Sequence, residues 1–352
     1  MEEKIDQIFD IIKDYRESDL FFSMSKERIS NWVNQFDEDD REFILDELLH
    51  ILPDSYISKE NALEGLDVIF EKLRNDLKYD TVEELLEHTC FLECQEAHKS
   101  QGEMLGFLDK LLTEKYGRSV SDCGSKEIRY WIYLDDVLAS GGTCRTELLQ
   151  VINEYGLKEF ENDGLVIICI FFFLHNWGYK NSTYAIDQKT RDNLSQEKIE
   201  FYRFGTIDNN PRLHDYYNPS PKFNHVYPKE CDNGKEFLEF IEQAFERQYP
   251  MTNEKFAFRP EGHPKKEEFY STPENRDRYE NILLNKGIKI INDINNLKAP
   301  GIRPLGMTPP THKTLGTGSH FFTWRNISNT SPLVFWWEAN GWTPLFPVKN
   351  RG

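Results

Sequence analysis

The chain has 352 residues and a formal net charge of −18, from 42 Lys and Arg against 60 Asp and Glu. Such acidity excludes a broad non-specific nucleic-acid surface, because backbone binding needs cations in excess, while a local basic patch or a basic protein partner stays open. No apolar run reaches the ~18 residues of a membrane span, MEEKIDQ lacks the parts of a secretory signal, and six scattered cysteines fit a cytoplasmic chain with reduced thiols.

Residues 1–78 read as an N-terminal helical segment. Ile5, Ile8, Phe9 and Ile12 recur at helical spacing. Ser25 is placed to cap a second helix carrying Ile29, Trp32, Val33 and Phe36, and Ser58 a fourth carrying Leu66, Ile69, Phe70 and Leu73. No catalytic cluster falls in these helices, so they read as scaffold or interaction surface. Thr81–His88 predicts a short helix, and Thr89–Gln95 a first core strand. A polar turn over His98–Gln101 and a helix over Glu103–Leu112 follow. Cys90 and Cys94 have no second Cys/His pair at zinc spacing, so no structural zinc is expected.

Ile128–Leu134 is rich in β-branched and aromatic residues and predicts a buried strand, with Asp135 and Asp136 at its carboxyl end. In open α/β sheets that end is where ligands bind. Two adjacent carboxylates suit vicinal hydroxyls, or Mg²⁺ held over a phosphate. Ser140, Gly141, Gly142 and Thr143 then open a helix over Cys144–Tyr155. Glycines let backbone N–H groups turn toward an anion, the helix start adds partial positive charge, and the two hydroxyls add donors. Gly-Gly alone would fit a plain tight turn. The full succession fits a ribose 5-phosphate cradle. A P-loop and a dinucleotide fingerprint are both absent.

Farther on, Gly164–Leu174 is a near-continuous apolar run, as in a parallel strand covered on both faces. His175 at its end is a candidate acid or base. Lys198–Phe204 predicts another strand, Lys235–Tyr249 a helix, and Arg278–Leu297 a helix interrupted near Gly287. From Gly301 the chain is rich in aromatics and proline. His320–Arg325 and Leu333–Trp337 read as paired strands, Thr314–His320 as a small flexible loop able to serve as a lid, and Arg303 and Arg325 as the cations most worth testing.

YLDDVLASGGT resembles the phosphoribosyl pyrophosphate (PRPP) loop of type I phosphoribosyltransferases. The stretches FLECQEAHKSQGEML and NTSPLVFWWEANGWTPLFP resemble the phosphoribosyltransferase-like family of prokaryotic conflict (anti-phage) systems. The resemblance implies an α/β fold. A parallel-sheet core over 79–248 would follow the N-terminal helical segment, and an aromatic C-terminal β-extension over 249–352 would pack on it. It implies that Asp135 and Asp136 face the ribose hydroxyls and help hold Mg²⁺. Ser140, Gly141, Gly142 and Thr143 would take the 5-phosphate, and Lys99, Ser100 and Gln101 the pyrophosphate. The chain departs from the pattern between Lys99 and Asp135, where such transferases carry two more strands and a long loop that shields the site from water. Here only Thr113–Lys126 is available, and its Lys115, Arg118 and Lys126 are the cations placed to reach a pyrophosphate.

Two functions follow from the resemblance. In one, the protein is a defence effector acting at ribose C1 of PRPP or a nucleotide. In the other it is a catalytically inactive nucleotide-sensing or assembly subunit. A protein partner from the same system, such as a reverse transcriptase or an ATPase, would then do or control the chemistry. Neither reading calls for a membrane.

Overall fold

The computed structural model describes residues 1–95, 100–190, 193–212, 220–245, 247–294, 297–339 and 341–348. In chain order the first helices are α1 (Glu2–Ile12), α2 (Lys26–Val33) and α3 (Glu38–Ser55), followed by β1 (Tyr56–Ile57). The next stretch holds α4 (Lys59–Asp76), α5 (Val82–Glu87), β2 (Thr89–Phe91), α6 (Ser100–Tyr116), β3 (Tyr130–Leu138), α7 (Gly142–Tyr155) and α8 (Leu157–Asn162). It continues through β4 (Val166–His175), α9 (Asn176–Thr190), α10 (Leu194–Glu197) and β5 (Ile199–Ile207). The last stretch holds α11 (Asp232–Phe245), α12 (Pro273–Asn292), β6 (Phe322–Thr323) and α13 (Leu333–Trp336).

Contacts divide the chain at 59 and 206, whereas the resemblance implies boundaries at 78 and 248. Residues 60–206 form a sheet unit. Residues 1–59 form a terminal unit with the chain from Ile207 onward.

The sheet unit is built on four strands in the order β2-β3-β4-β5, with β2, β3 and β4 parallel. The register sets Trp131 beside Ile167 and Tyr133 beside Cys169. These side chains share one face and pack on Cys144, Leu148, Leu149 and Ile152 of α7, Phe160 of α8 and Ile186 of α9. The opposite parity, Ile132, Leu134, Ile168, Ile170 and Phe172, is buried too. On that side Phe70 of α4 meets Phe91, and Phe172 meets Phe204. Each large apolar side chain so buried contributes about 1.5–3 kcal/mol. This explains why the 164–174 run carries no polar alternation. The parallel sheet with helices fits a phosphoribosyltransferase-like core.

In the terminal unit the N-terminal helices and the C-terminal segment make one core. Ser25 caps α2 as expected, accepting from Arg28 N–H at 3.2 Å. Trp32 stacks on Phe335 at 5.5 Å, and its indole N–H donates to Val334 O at 2.8 Å. Tyr15 Oη donates to Pro347 O, and Phe322 stacks on Phe346 at 4.5 Å.

Strand content in this segment is small, which corrects the expected β-extension. Among the described residues its one strand, Phe322–Thr323, pairs with Tyr56–Ile57 in parallel, and Thr252 and His312 form an isolated bridge. Leu333–Trp336 is one turn of helix, not a second strand. Thr314–His320 is no flexible lid either: Leu315, Ser319 and His320 are buried, and backbone bonds tie the stretch to Leu305, Val226 and Thr330. The helix α12 runs through Gly287 without a break. Among the described residues no helix is long and apolar enough to cross a membrane.

Candidate functional site

Strand β3 extends four residues past the expected end at Leu134, so the acid pair lies inside it. Asp135 sits in register with Phe171 and is buried, whereas Asp136 is half-buried. The first residue of α6 reaches them. Ser100 Oγ donates to Asp135 Oδ1 at 2.6 Å, with Asp136 Oδ1 at 3.2 Å, and Asp136 N–H donates to Asp135 Oδ1 at 2.8 Å. A hydroxyl bonded to a carboxylate is a strong, charge-assisted contact. It fixes the start of α6 to the carboxyl half of β3.

The 140–143 loop follows. Gly141 has φ +73°, the left-handed region that suits glycine. A Cβ there would also stand 1.7 Å from Ser182 Oγ and 2.8 Å from Gly178 O. Ser182 Oγ donates to Gly178 O at 2.8 Å, with Gly141 O at 3.0 Å. A Cβ on Gly178 would meet Ala139 O at 1.8 Å. The first turns of α9 therefore wall the back of the loop. Its front is open: Ser140 and Thr143 are exposed, and a Cβ on Gly142 would meet only Ser140 Oγ, at 3.6 Å. At the α7 start Gly142 N–H donates to Ser140 Oγ at 3.4 Å, and the helix start presents its remaining backbone donors and partial positive charge to that opening. Gly141→Ala is expected to cost about 1–2 kcal/mol for the left-handed backbone alone, with further loss from the clash on Ser182. Thermal denaturation checks this, and an unchanged midpoint would contradict the packing described.

Two residues at the site escaped the sequence reading. Arg145 lies in the first turn of α7, and its Nε is buried with no hydrogen-bond partner among the described residues. Glu147, four residues past Thr143, accepts at Oε2 from Tyr133 Oη at 2.7 Å and Gln95 Nε2 at 3.2 Å. Burial, and then the nearby Asp135, drive the Tyr133 phenol far above its ordinary range, so it stays a donor. Helical spacing after a phosphate-type loop is the signal that could have singled out both residues.

The PRTase-CE family model, of the conflict-system phosphoribosyltransferase-like proteins, matches residues 29–348. The chain belongs to the PRTase-CE family. No curated protein and no solved structure matches it.

In this PRTase-CE chain the expected site residues fall into three groups. Asp135, Asp136, Ser100 and the 140–143 loop gather at the carboxyl half of β3. Gln101 is close by but buried, and its Oε1 accepts from Cys94 N–H at 2.7 Å and Gln95 N–H at 3.1 Å. Its Nε2 has no partner among the described residues. Lys99 lies outside the described residues.

The remaining candidates do other work. His175 ends β4 with no exposed surface, and burial pushes it down to about 3, so it is neutral and sealed from solvent at neutral pH. Arg303 belongs to the terminal unit. It is fully buried and donates to the carbonyls of Pro300 and Ile302 at 2.8 Å and of His312 at 3.3 Å, and burial lowers it to about 10. Arg325, in the same unit, lies within electrostatic range of Tyr15. Lys115, within α6, pairs with Asp67, and Arg118 and Lys126, after it, both pair with Glu87, at 2.7 and 2.6 Å.

Among the described residues no group of three or more His, Cys, Asp or Glu is arranged to hold a metal. Mg²⁺ commonly takes one or two carboxylates and completes its shell with phosphate and water. Asp135 and Asp136 beside an open phosphate-type loop fit that use.

Proposed function

We propose that the sheet unit binds PRPP, or the ribose 5-phosphate of a nucleotide, together with Mg²⁺, and acts at ribose C1 as a cytoplasmic effector of anti-phage defence. The observation that carries the reading is the bond from Ser100 to Asp135, which brings the start of α6 to the acid pair that precedes the 140–143 loop. In a type I phosphoribosyltransferase arrangement those are the two halves of a PRPP site. Asp135 and Asp136 orient the ribose hydroxyls, and the loop with the α7 start takes the 5-phosphate. Ser100, Lys99 and Gln101 Nε2 serve the leaving pyrophosphate. Mg²⁺, when bound, neutralises charge on that diphosphate. Catalysis by such a site is positioning and electrostatic stabilisation of an oxocarbenium-like sugar as the bond to pyrophosphate breaks.

The sensor reading has its own support. Between α6 and β3 the chain forms only a short 3₁₀ turn at Val120–Asp122, and its cations are held in ion pairs. No hood stands there to exclude water. On this reading a partner from the same defence system, such as a reverse transcriptase or an ATPase, completes or controls the site. Following pyrophosphate release from PRPP·Mg²⁺ separates the two. Sustained release that disappears in Asp135→Asn/Asp136→Asn supports the enzyme. Tight binding without release supports the sensor.

A further inference from the structure

We infer that Glu147 is a positioning residue that holds Gln95, and through it Gln101 at the start of α6, at a fixed span from the 140–143 loop. The inference rests on the ribose 5-phosphate reading of that loop. Glu147 stands one helical turn beyond Thr143, so its carboxylate moves with the α7 start. Its Oε2 accepts from Gln95 Nε2 at 3.2 Å and from Tyr133 Oη at 2.7 Å. Gln95 is held a second time, through its backbone N–H, by Gln101 Oε1. Ser100, the first residue of α6, is fixed to Asp135. One anchor thus ties the α6 start to α7 through Gln95, and the other ties it to β3.

A ligand carrying an anion at each end must touch the α6 start and the 140–143 loop at once, and its affinity depends on the span between them. A ligand with only a 5-phosphate needs the 140–143 loop alone. The two bonds of Glu147 separate in the same way. The bond from Tyr133, which has no exposed surface, serves the core. The bond from Gln95, which is half-buried, serves the α6 start.

Calorimetric titration with PRPP·Mg²⁺ and, separately, with ribose 5-phosphate tests this on wild type, Gln95→Ala, Glu147→Ala, their double variant and Tyr133→Phe. Gln95→Ala is expected to weaken PRPP·Mg²⁺ about tenfold, the loss of one charge-assisted hydrogen bond, and to leave ribose 5-phosphate within about twofold. Glu147→Ala should match it, and the double variant should bind no more weakly than the weaker single one, because all remove the same tie. Tyr133→Phe should lower the melting temperature without moving either affinity. If Glu147→Ala fails to fold, Gln95→Ala carries the comparison alone. Unchanged PRPP affinity in Gln95→Ala, or equal loss for both ligands, overturns the inference while wild-type binding leaves the underlying reading intact. A folded wild type that binds neither ligand overturns both.

Discussion

Asp135→Asn/Asp136→Asn is expected to lower affinity for PRPP·Mg²⁺ about hundredfold or more while the protein stays folded. The exchange keeps size and shape. Ser100 Oγ can still donate to an amide oxygen in place of Asp135 Oδ1, now 2.6 Å away, so the tie between α6 and β3 survives. What disappears is charge. A hydrogen bond to a charged group is worth about 1.5–3 kcal/mol, and two such groups facing ribose hydroxyls or Mg²⁺ together reach a hundredfold at about 1.4 kcal/mol per decade. Titration of the variant beside wild type, with circular dichroism to confirm the fold, measures the effect. Equal affinity in the two proteins would mean that the acid pair serves the sheet and not a ligand.

Acid is expected to destabilise the protein steeply before its carboxylates titrate. His175 in the sheet unit and His320 in the terminal unit are both fully buried, and burial pushes each from 6.5 down to about 3. His320 Nε2 is bonded to Tyr279 Oη at 2.9 Å, while its Nδ1 has no partner among the described residues. In the unfolded chain both imidazoles take up protons near 6.5. In the native chain they stay neutral until about 3. The unfolded state therefore binds more protons throughout that window, so stability rises with pH. It is fully present above 6.5 and is lost as pH falls. A proton bound only by the unfolded chain costs the native state about 1.4 kcal/mol for each pH unit below 6.5. Between pH 7 and 5 the two groups together therefore remove about 4 kcal/mol. Denaturant titrations at several pH values check the slope. Calorimetry in buffers of different ionisation enthalpy should show uptake of about two protons on unfolding near pH 5. A flat profile from pH 7 to 5 would contradict the burial of these rings.

Much of the site was legible because its signals are local. Gly141 advertises a left-handed turn, and the helix after it shows in the spacing of Cys144, Leu148 and Ile152. The buried run at β4 announces itself by composition. The strand edge at β3 was misjudged because two aspartates look like the end of a strand, whereas here Ser100 satisfies the buried carboxylate from another element. Ser100 itself could be placed by sequence, but its partner could not, since the bond joins residues 35 apart.

The terminal unit was the least legible part. Its core depends on pairings such as Trp32 with Val334 and Tyr15 with Pro347, which no periodicity records. Aromatics at Phe321, Phe322, Phe335 and Trp336 suggested strands because such residues favour them. In the fold the rings of Phe321, Phe322 and Phe335 are buried in a core while Trp336 is half-buried, and the backbone of this segment bonds largely to turns. Arg303 drew attention as a cation among aromatics. It is a buried staple whose donors close the 300–312 loop.

The most direct test of the central claim is calorimetric titration of the wild-type protein with PRPP and Mg²⁺. The account predicts saturable binding at micromolar strength and a rise in melting temperature. Absence of both heat and stabilisation, in protein shown to be folded, would contradict it. The 140–143 loop would then be a structural turn in this chain, or a site completed only by a partner.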